Sequence, residues 1–151
     1  DYDFVKEVMK NLGMEMVFWK VAMRPGQPLA FGTIGEKPVF GLPGNPVSSM
    51  ISFEQFVRPS LLKMMGRRQL FRPVIEAILK EEIKKMTGRR YFIRGSVSFE
   101  KDKYFVTTTG EQGSGILRSM VKANGLIVIP EDQEIARAGD KVKVQLLDRN
   151  L

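Results

Sequence analysis

The chain contains no cysteine and no histidine. Without cysteine it can build neither a disulfide framework nor a thiolate metal site. Without histidine a metal ion has only oxygen ligands to sit on, which favours a hard cation such as magnesium. Nucleophilic catalysis by a Ser–His or Cys–His pair is excluded as well. Proton and charge handling therefore fall to Asp, Glu, Lys, Arg, Ser, Thr or Tyr. No apolar run approaches the roughly 18 residues of a membrane span. The first residues, Asp1-Tyr2-Asp3-Phe4, carry neither an initiator methionine nor the basic and apolar pattern of a signal peptide. The expectation is a piece of a longer cytoplasmic protein with no membrane partner.

What is present suits a folded protein. Its 151 residues are enough for one medium domain or two small ones, and 43% hydrophobic with 27% charged residues is ordinary for a globular chain. The net charge of +7 points to an anionic partner. That charge is dispersed: residues 1–70 hold nine basic and six acidic groups, and residues 71–151 hold fifteen and eleven. Dispersed basicity suits a small anion in a pocket as well as a polymer, and solubility alone also accounts for it.

Hydrophobic spacing divides the chain near residue 70. In the first part, Asp3 to Leu12 has a helical period, with Asp1 or Asp3 as N-cap and Gly13 placed to end it. Met16 to Ala22 is aromatic and β-branched, which predicts a buried strand. Arg24-Pro25-Gly26-Gln27-Pro28 predicts a loop, and Leu29 to Gly32 and Lys37 to Leu42 predict two short strands. A helix then runs from about Val47 to Met65, kinked or restarted at Pro59. This order is that of the second half of an α/β layer domain. In residues 71–151, Pro73 to Lys84, Arg90 to Phe99, Tyr104 to Thr109, Leu126 to Pro130 and Lys141 to Asp148 predict strands separated by turns. Only Gly115 to Asn124 has room for a helical turn. Such spacing predicts a small all-β barrel or sandwich.

Five stretches have residue types suited to chemistry. Gly41-Leu42-Pro43-Gly44-Asn45-Pro46-Val47-Ser48 takes a strand through a stiff turn into a helix, which would expose backbone N–H groups to an anion. A plain strand-to-helix connection reads the same way. Lys20 and Arg24 lie at the end of the predicted strand and the start of the loop, where two cations suit a phosphate or oxyanion. Two solvated surface charges are the alternative. Asp3 at a helix start could hold magnesium or cap the helix. Arg89 to Gly95 mixes basic and aromatic residues, as nucleic-acid surfaces do, although Arg90, Phe92 and Arg94 share one strand face in the usual alternation of core and solvent. Thr107 to Gly115, with three glycines, could present N–H groups to an anion or simply turn a hairpin.

Taken together, Phe18-Trp19-Lys20-Val21-Ala22-Met23-Arg24-Pro25-Gly26-Gln27-Pro28-Leu29-Ala30-Phe31-Gly32 and the proline turn at Gly41 to Ser48 resemble the molybdopterin molybdenumtransferase family, the bacterial relatives of the gephyrin E domain. Arg94-Gly95 and Thr107 to Ser114 match the family's last domain, so the resemblance runs in order along the whole chain. It implies an α/β fold: the second half of a three-layer molybdopterin-binding domain over residues 1–70, then a β-barrel domain over residues 71–151. The family has four domains and forms an elongated homodimer, and its pterin-binding Thr-Gly-Gly-type turn would lie just before Asp3.

Carried over by position, Asp3, Lys20 and Arg24 match catalytic residues, with Asp3 also the metal contact. Family members often have lysine where Arg24 stands. Pro43, Gly44, Asn45, Pro46 and Ser48 match the substrate-binding turn, and Arg94 and Ser114 match residues supplied by the barrel. The implied reaction inserts molybdenum from molybdate into adenylylated molybdopterin, with magnesium, and releases AMP. The implied partners are these small molecules and a second copy of the full-length protein, with no nucleic acid. Two other readings stay open on the residues alone: a basic β-barrel that binds nucleic acid, and a non-catalytic fragment that supplies assembly contacts.

Overall fold

The computed structural model describes residues 2–113 and 115–147, with the side chains of residues 2–6 outside that description. Helix α1 (Tyr2–Asn11) ends where expected. Gly13, at a φ of 79°, lets its own N–H reach the Lys10 carbonyl and that of Met14 reach Met9, closing the last turn. A three-stranded antiparallel sheet follows, formed by β1 (Glu15–Phe18), β3 (Ala30–Ile34) and β4 (Lys37–Gly41) with β3 in the middle. The rings of Phe18, Phe31 and Phe40 run across it, with centroids 5.6 and 4.8 Å apart. The expected buried strand from Met16 to Ala22 is shorter than its apolar run and not buried. β1 stops at Phe18, and Val17 is 67% exposed.

The long helix predicted after the proline turn is three segments. Helix α2 (Pro46–Ser52) starts with proline in its first turn, and α3 (Arg58–Met64) carries Pro59. Between them lies one π-helical segment, Phe53–Val57, where the N–H of Arg58 reaches back to the Phe53 carbonyl. Pro59 has no N–H to continue the regular ladder, and the wider turn before it takes up the mismatch. The Phe56 ring of this segment packs toward Phe18, 6.2 Å away.

Beyond residue 70 the strands close into a barrel. β7 (Arg90–Glu100) pairs with β8 (Lys103–Thr108), β8 with β5 (Val74–Leu79), β5 with β11 (Lys141–Leu146), β11 with β9 (Gly125–Ile129), and β9 returns to β7. Only β5–β8 is parallel among these. Lys101 and Asp102, both at positive φ, form the two-residue turn joining β7 to β8. Leu79, Ile93, Val97, Val106, Ile127 and Val144 fill the interior. Two short strands, β6 (Ile83–Lys84) and β10 (Ile135–Ala136), form a ribbon beside the barrel. Helix α4 (Leu117–Val121) is the short helical turn expected between Gly115 and Asn124.

The two parts of the chain are joined by packing and by backbone pairing. Val47 and Ile51 of α2 share a second core with Phe92, Met120 and Leu126. The segment expected to be loop at Arg24 contains β2 (Met23–Arg24), which pairs in parallel with β7 so that Arg24 lies beside Tyr91. The N–H of Arg90 also donates to the Ala22 carbonyl at 2.9 Å. This pairing carries a charged residue of the first part onto the barrel.

Candidate functional site

The largest feature beside this junction is a cavity of about 740 Å³, bounded by Arg24 and Pro25 on one side and by barrel residues on the other. Four cations line it, and three of them are occupied. Lys84 pairs with Glu82 at 3.0 Å. Lys85 is buried and its ammonium donates to the carbonyls of Met86, Arg89 and Glu131. Arg94, only 1% exposed, donates through Nε to the Ser119 hydroxyl and through Nη2 to the Gly113 carbonyl. Burial holds the Arg94 guanidinium below its ordinary pKa. Arg24 differs from all three. Among the described residues it has no ion pair or hydrogen bond from its side chain, and its guanidinium lies 5.7 Å from the centre of the Tyr91 ring.

The cavity wall has an acidic member as well. Glu81 accepts from the Thr107 hydroxyl at 2.6 Å and from the Thr108 N–H at 2.5 Å. The Thr107 bond is the larger cause and the Thr108 bonds add to it, so the Glu81 carboxyl is held below its ordinary pKa despite some burial. No three acidic side chains cluster as a metal cage among the described residues.

Arg94 is held on two sides by its own chain in this arrangement. Its position in the strand suggested the face of Arg90, and only Arg90 is on the surface. Phe92 and Arg94 on that same face are buried, because α2, α4 and the loop after β8 cover the middle of β7. That loop is clasped onto Arg94. The Gln112 side chain accepts from the Arg94 N–H and donates to its carbonyl, and the Thr109 N–H donates to that carbonyl as well. The glycine-rich stretch is therefore not a hairpin turn: its own Gln112 pairs with the Arg94 backbone as a short strand would. The expected barrel contact Arg94 reaches the cavity wall while its Nε and Nη2 donate to its own chain; Ser114 lies outside the described residues.

The proline turn carries a cap of its own at the expected anion seat. The Asn45 side chain accepts from the Ser48 N–H at 3.5 Å, and the Asn45 carbonyl accepts from Ser49 at 2.9 Å. Val47 and Ser48 are buried, and none of Pro43, Gly44, Asn45, Pro46 or Ser48 lines the cavity that holds Arg24. The cap takes the Ser48 N–H, and Arg24 lies at the barrel, brought there by β2. Lys20 is exposed, lies outside the cavity lining and has no ion pair among the described residues. Asp3 stands in the first turn of α1, with its side chain outside the described residues. The basic and aromatic run at residues 89–95 is likewise no open face: Phe92 is buried and Tyr91 lies against two cations.

Sequence reasoning missed Tyr91, Lys85 and Gln112. Tyr91 carried a usable signal, since alternation along β7 set it apart from Arg90 and Arg94. Lys85, within a run of charged residues, carried none. No helix among the described residues is long and apolar enough to cross a membrane.

Comparison with known proteins covers both parts of the chain. Residues 1–63 match the family described as a probable molybdopterin binding domain, and residues 76–147 match the MoeA C-terminal region (domain IV). A molybdopterin molybdenumtransferase of Haemophilus influenzae is 37% identical over 145 residues, which are 95% of this chain and 36% of that protein. Molybdopterin molybdenumtransferase 2 of Mycobacterium tuberculosis is 39% identical over 87% of this chain and 32% of its own length. Among solved structures, a molybdopterin biosynthesis MoeA protein from Pyrococcus horikoshii superposes with a TM-score of 0.77 at 34% identity, covering 97% of this chain and 35% of that one. The chain thus spans about a third of the length of the curated relatives it matches. Both halves match in order, over a fold shared with solved relatives, and the chain belongs to the MoeA family of molybdenum cofactor biosynthesis.

Proposed function

We propose that the chain is the C-terminal part of a molybdopterin molybdenumtransferase, which moves molybdenum from molybdate into adenylylated molybdopterin and releases AMP. The observation that carries this reading is Arg24: a cation without a carboxylate partner among the described residues, at the wall of a large cavity, in a chain of this family. Molybdate, the pterin dithiolene and the phosphates are all anionic. A guanidinium fixed beside them binds two oxygens at once and stabilises charge that develops as the metal moves. Arg94, through Gln112 and Gly113, shapes the wall opposite.

The division into a molybdopterin-binding half-domain (1–70) and a barrel domain (71–151) belongs to the same proposal, as do a cytoplasmic location and a homodimer of the full-length protein. Asp3 and Lys20 take their catalytic roles, and Pro43 to Ser48 and Ser114 their substrate contacts, from the family resemblance. Magnesium belongs to the same proposal, held by Asp3 and the substrate phosphates.

The test is molybdenum transfer by the full-length protein carrying Arg24→Ala, with adenylylated molybdopterin, molybdate and magnesium. Losing a charge-assisted contact worth about 1.5–3 kcal/mol lowers the rate about ten-fold or more at an unchanged melting temperature. A variant that transfers at the parent rate would overturn the reading.

A further inference from the structure

The Arg24 side chain is long, exposed along its length and unpaired among the described residues, yet it occupies a defined place. Holding such a side chain in one geometry costs rotamer freedom. Two features of the barrel offset that cost. Parallel pairing of β2 with β7 sets Arg24 beside Tyr91 in register. The ring then offers its π face within the distance at which a cation is attracted to it, 5.7 Å from the guanidinium carbon.

The ring itself is held. Tyr91 packs against the barrel interior, and the ammonium of Lys85 lies 4.9 Å from its centre. Lys85 in turn is pinned by three carbonyls, from Met86, Arg89 and Glu131, which tie the segment before β7 to the segment after β9. A chain of fixed contacts thus runs from the barrel through Lys85 and Tyr91 to the one lining cation that has no polar partner among the described residues.

We propose that Tyr91 is a positioning residue for Arg24: its ring, steadied by the carbonyl-bound Lys85, holds the guanidinium at the cavity wall in readiness for the anionic substrate. The proposal rests on the reading of Arg24 as the anion contact. Tyr91 touches no reacting atom; it acts by reducing the ordering left to be done when the anion arrives.

The test is a double-mutant cycle in the full-length protein, read as the dissociation constant for molybdate by calorimetry. Tyr91→Leu should weaken molybdate binding about two- to five-fold, the value of an exposed cation–π contact. Tyr91→Phe keeps the ring and should bind as the parent does. In an Arg24→Ala background, Tyr91→Leu should add nothing. In turnover the same Tyr91→Leu protein should show a raised KM for molybdate with the larger part of kcat retained. Tyr91→Val, which suits a strand, replaces Tyr91→Leu where the latter does not fold.

Three results overturn the proposal. Parent-like binding by Tyr91→Leu shows that the ring does not matter. A loss that persists without Arg24 shows that Tyr91 supports the barrel and not the guanidinium. An Arg24→Ala protein with unaltered molybdate affinity removes the reading beneath it as well, and only this result does so. The first two leave Arg24 as the anion contact and remove Tyr91 alone.

Discussion

In the barrel, β5, β7, β8, β9 and β11 each have a partner on both sides, so no long edge is left open. In the sheet of the first part, β1 and β4 each have one partner among the described strands. The contrast extends to side chains. Ile127, Val106 and Val144 are wholly or almost wholly enclosed, whereas Val17, Leu61 and Met64 are exposed. The barrel closes its own backbone ladder around an enclosed core, although Val74 and Phe99 stay exposed on its strands. The preceding part depends on the barrel for much of its cover, through Val47, Ile51 and Met23 packed on Phe92 and Leu126. A self-sufficient unit can thus act as a wall against which a less complete one is positioned, and Arg24 crosses between them.

Removing Arg94 should have the largest effect. Arg94→Ala leaves a cavity under the loop after β8 and strips bonds from Ser119 and Gly113, while the backbone pairing with Gln112 stays. A loss of about 4 kcal/mol is expected by denaturant titration, from the lost volume and the charged hydrogen bonds together. A loss under about 1 kcal/mol would show that the loop does not depend on Arg94.

Core truncation compares the two regions directly. Ile127→Ala in the barrel should cost about 3 kcal/mol, and Val17→Ala in β1 should stay within about 0.5 kcal/mol. Equal losses would abolish the distinction between an enclosed and an open sheet.

The seam comes next. Gly26 has a φ of 101°, and an added Cβ would run into Met23 Cε and sit 2.6 Å from Ser52 Oγ. Gly26→Ala should destabilise by about 2 kcal/mol, through backbone strain and the displaced contact between the β2 loop and α2. A neutral or stabilised variant would mean that the loop can move away from α2 at no cost.

The smallest effect concerns Glu81, whose folded pKa is depressed chiefly by the Thr107 hydroxyl. A depressed carboxyl contributes stability above its unfolded pKa and loses it as pH falls through the folded value. The parent should exceed Glu81→Gln by less than about 1.5 kcal/mol at neutral pH. That margin should shrink below the ordinary glutamate value of about 4.3. A margin that grows in acid would reverse the assignment.

Much of this architecture was legible from residue patterns. Gly13 ended α1, Pro46 began α2 and alternating apolar residues marked the long barrel strands, because each of these signals is local. What escaped was set by partners far along the chain. β2 is two residues long and exists because β7 pairs with it, so its own proline and glycine neighbours read as loop. Arg94 alternates with Ile93 as a surface residue would, and it is enclosed by α4 and by the loop that Gln112 folds back. The turn at Pro43 to Pro46 was placed correctly as a connection into a helix. Asn45 within that turn caps the helix itself, a contact that depends on the folded turn and not on local spacing alone.

The central claim is that the anion belongs beside Arg24 at the barrel, and crystals of the full-length protein soaked in tungstate test it most directly. Tungstate is a molybdate analogue whose metal is located by its anomalous scattering. A peak is expected within hydrogen-bonding reach of the Arg24 guanidinium, in the cavity that Tyr91 and Gln112 line. A peak over the backbone of Asn45 to Ser48, with Arg24 left without contact, would contradict it.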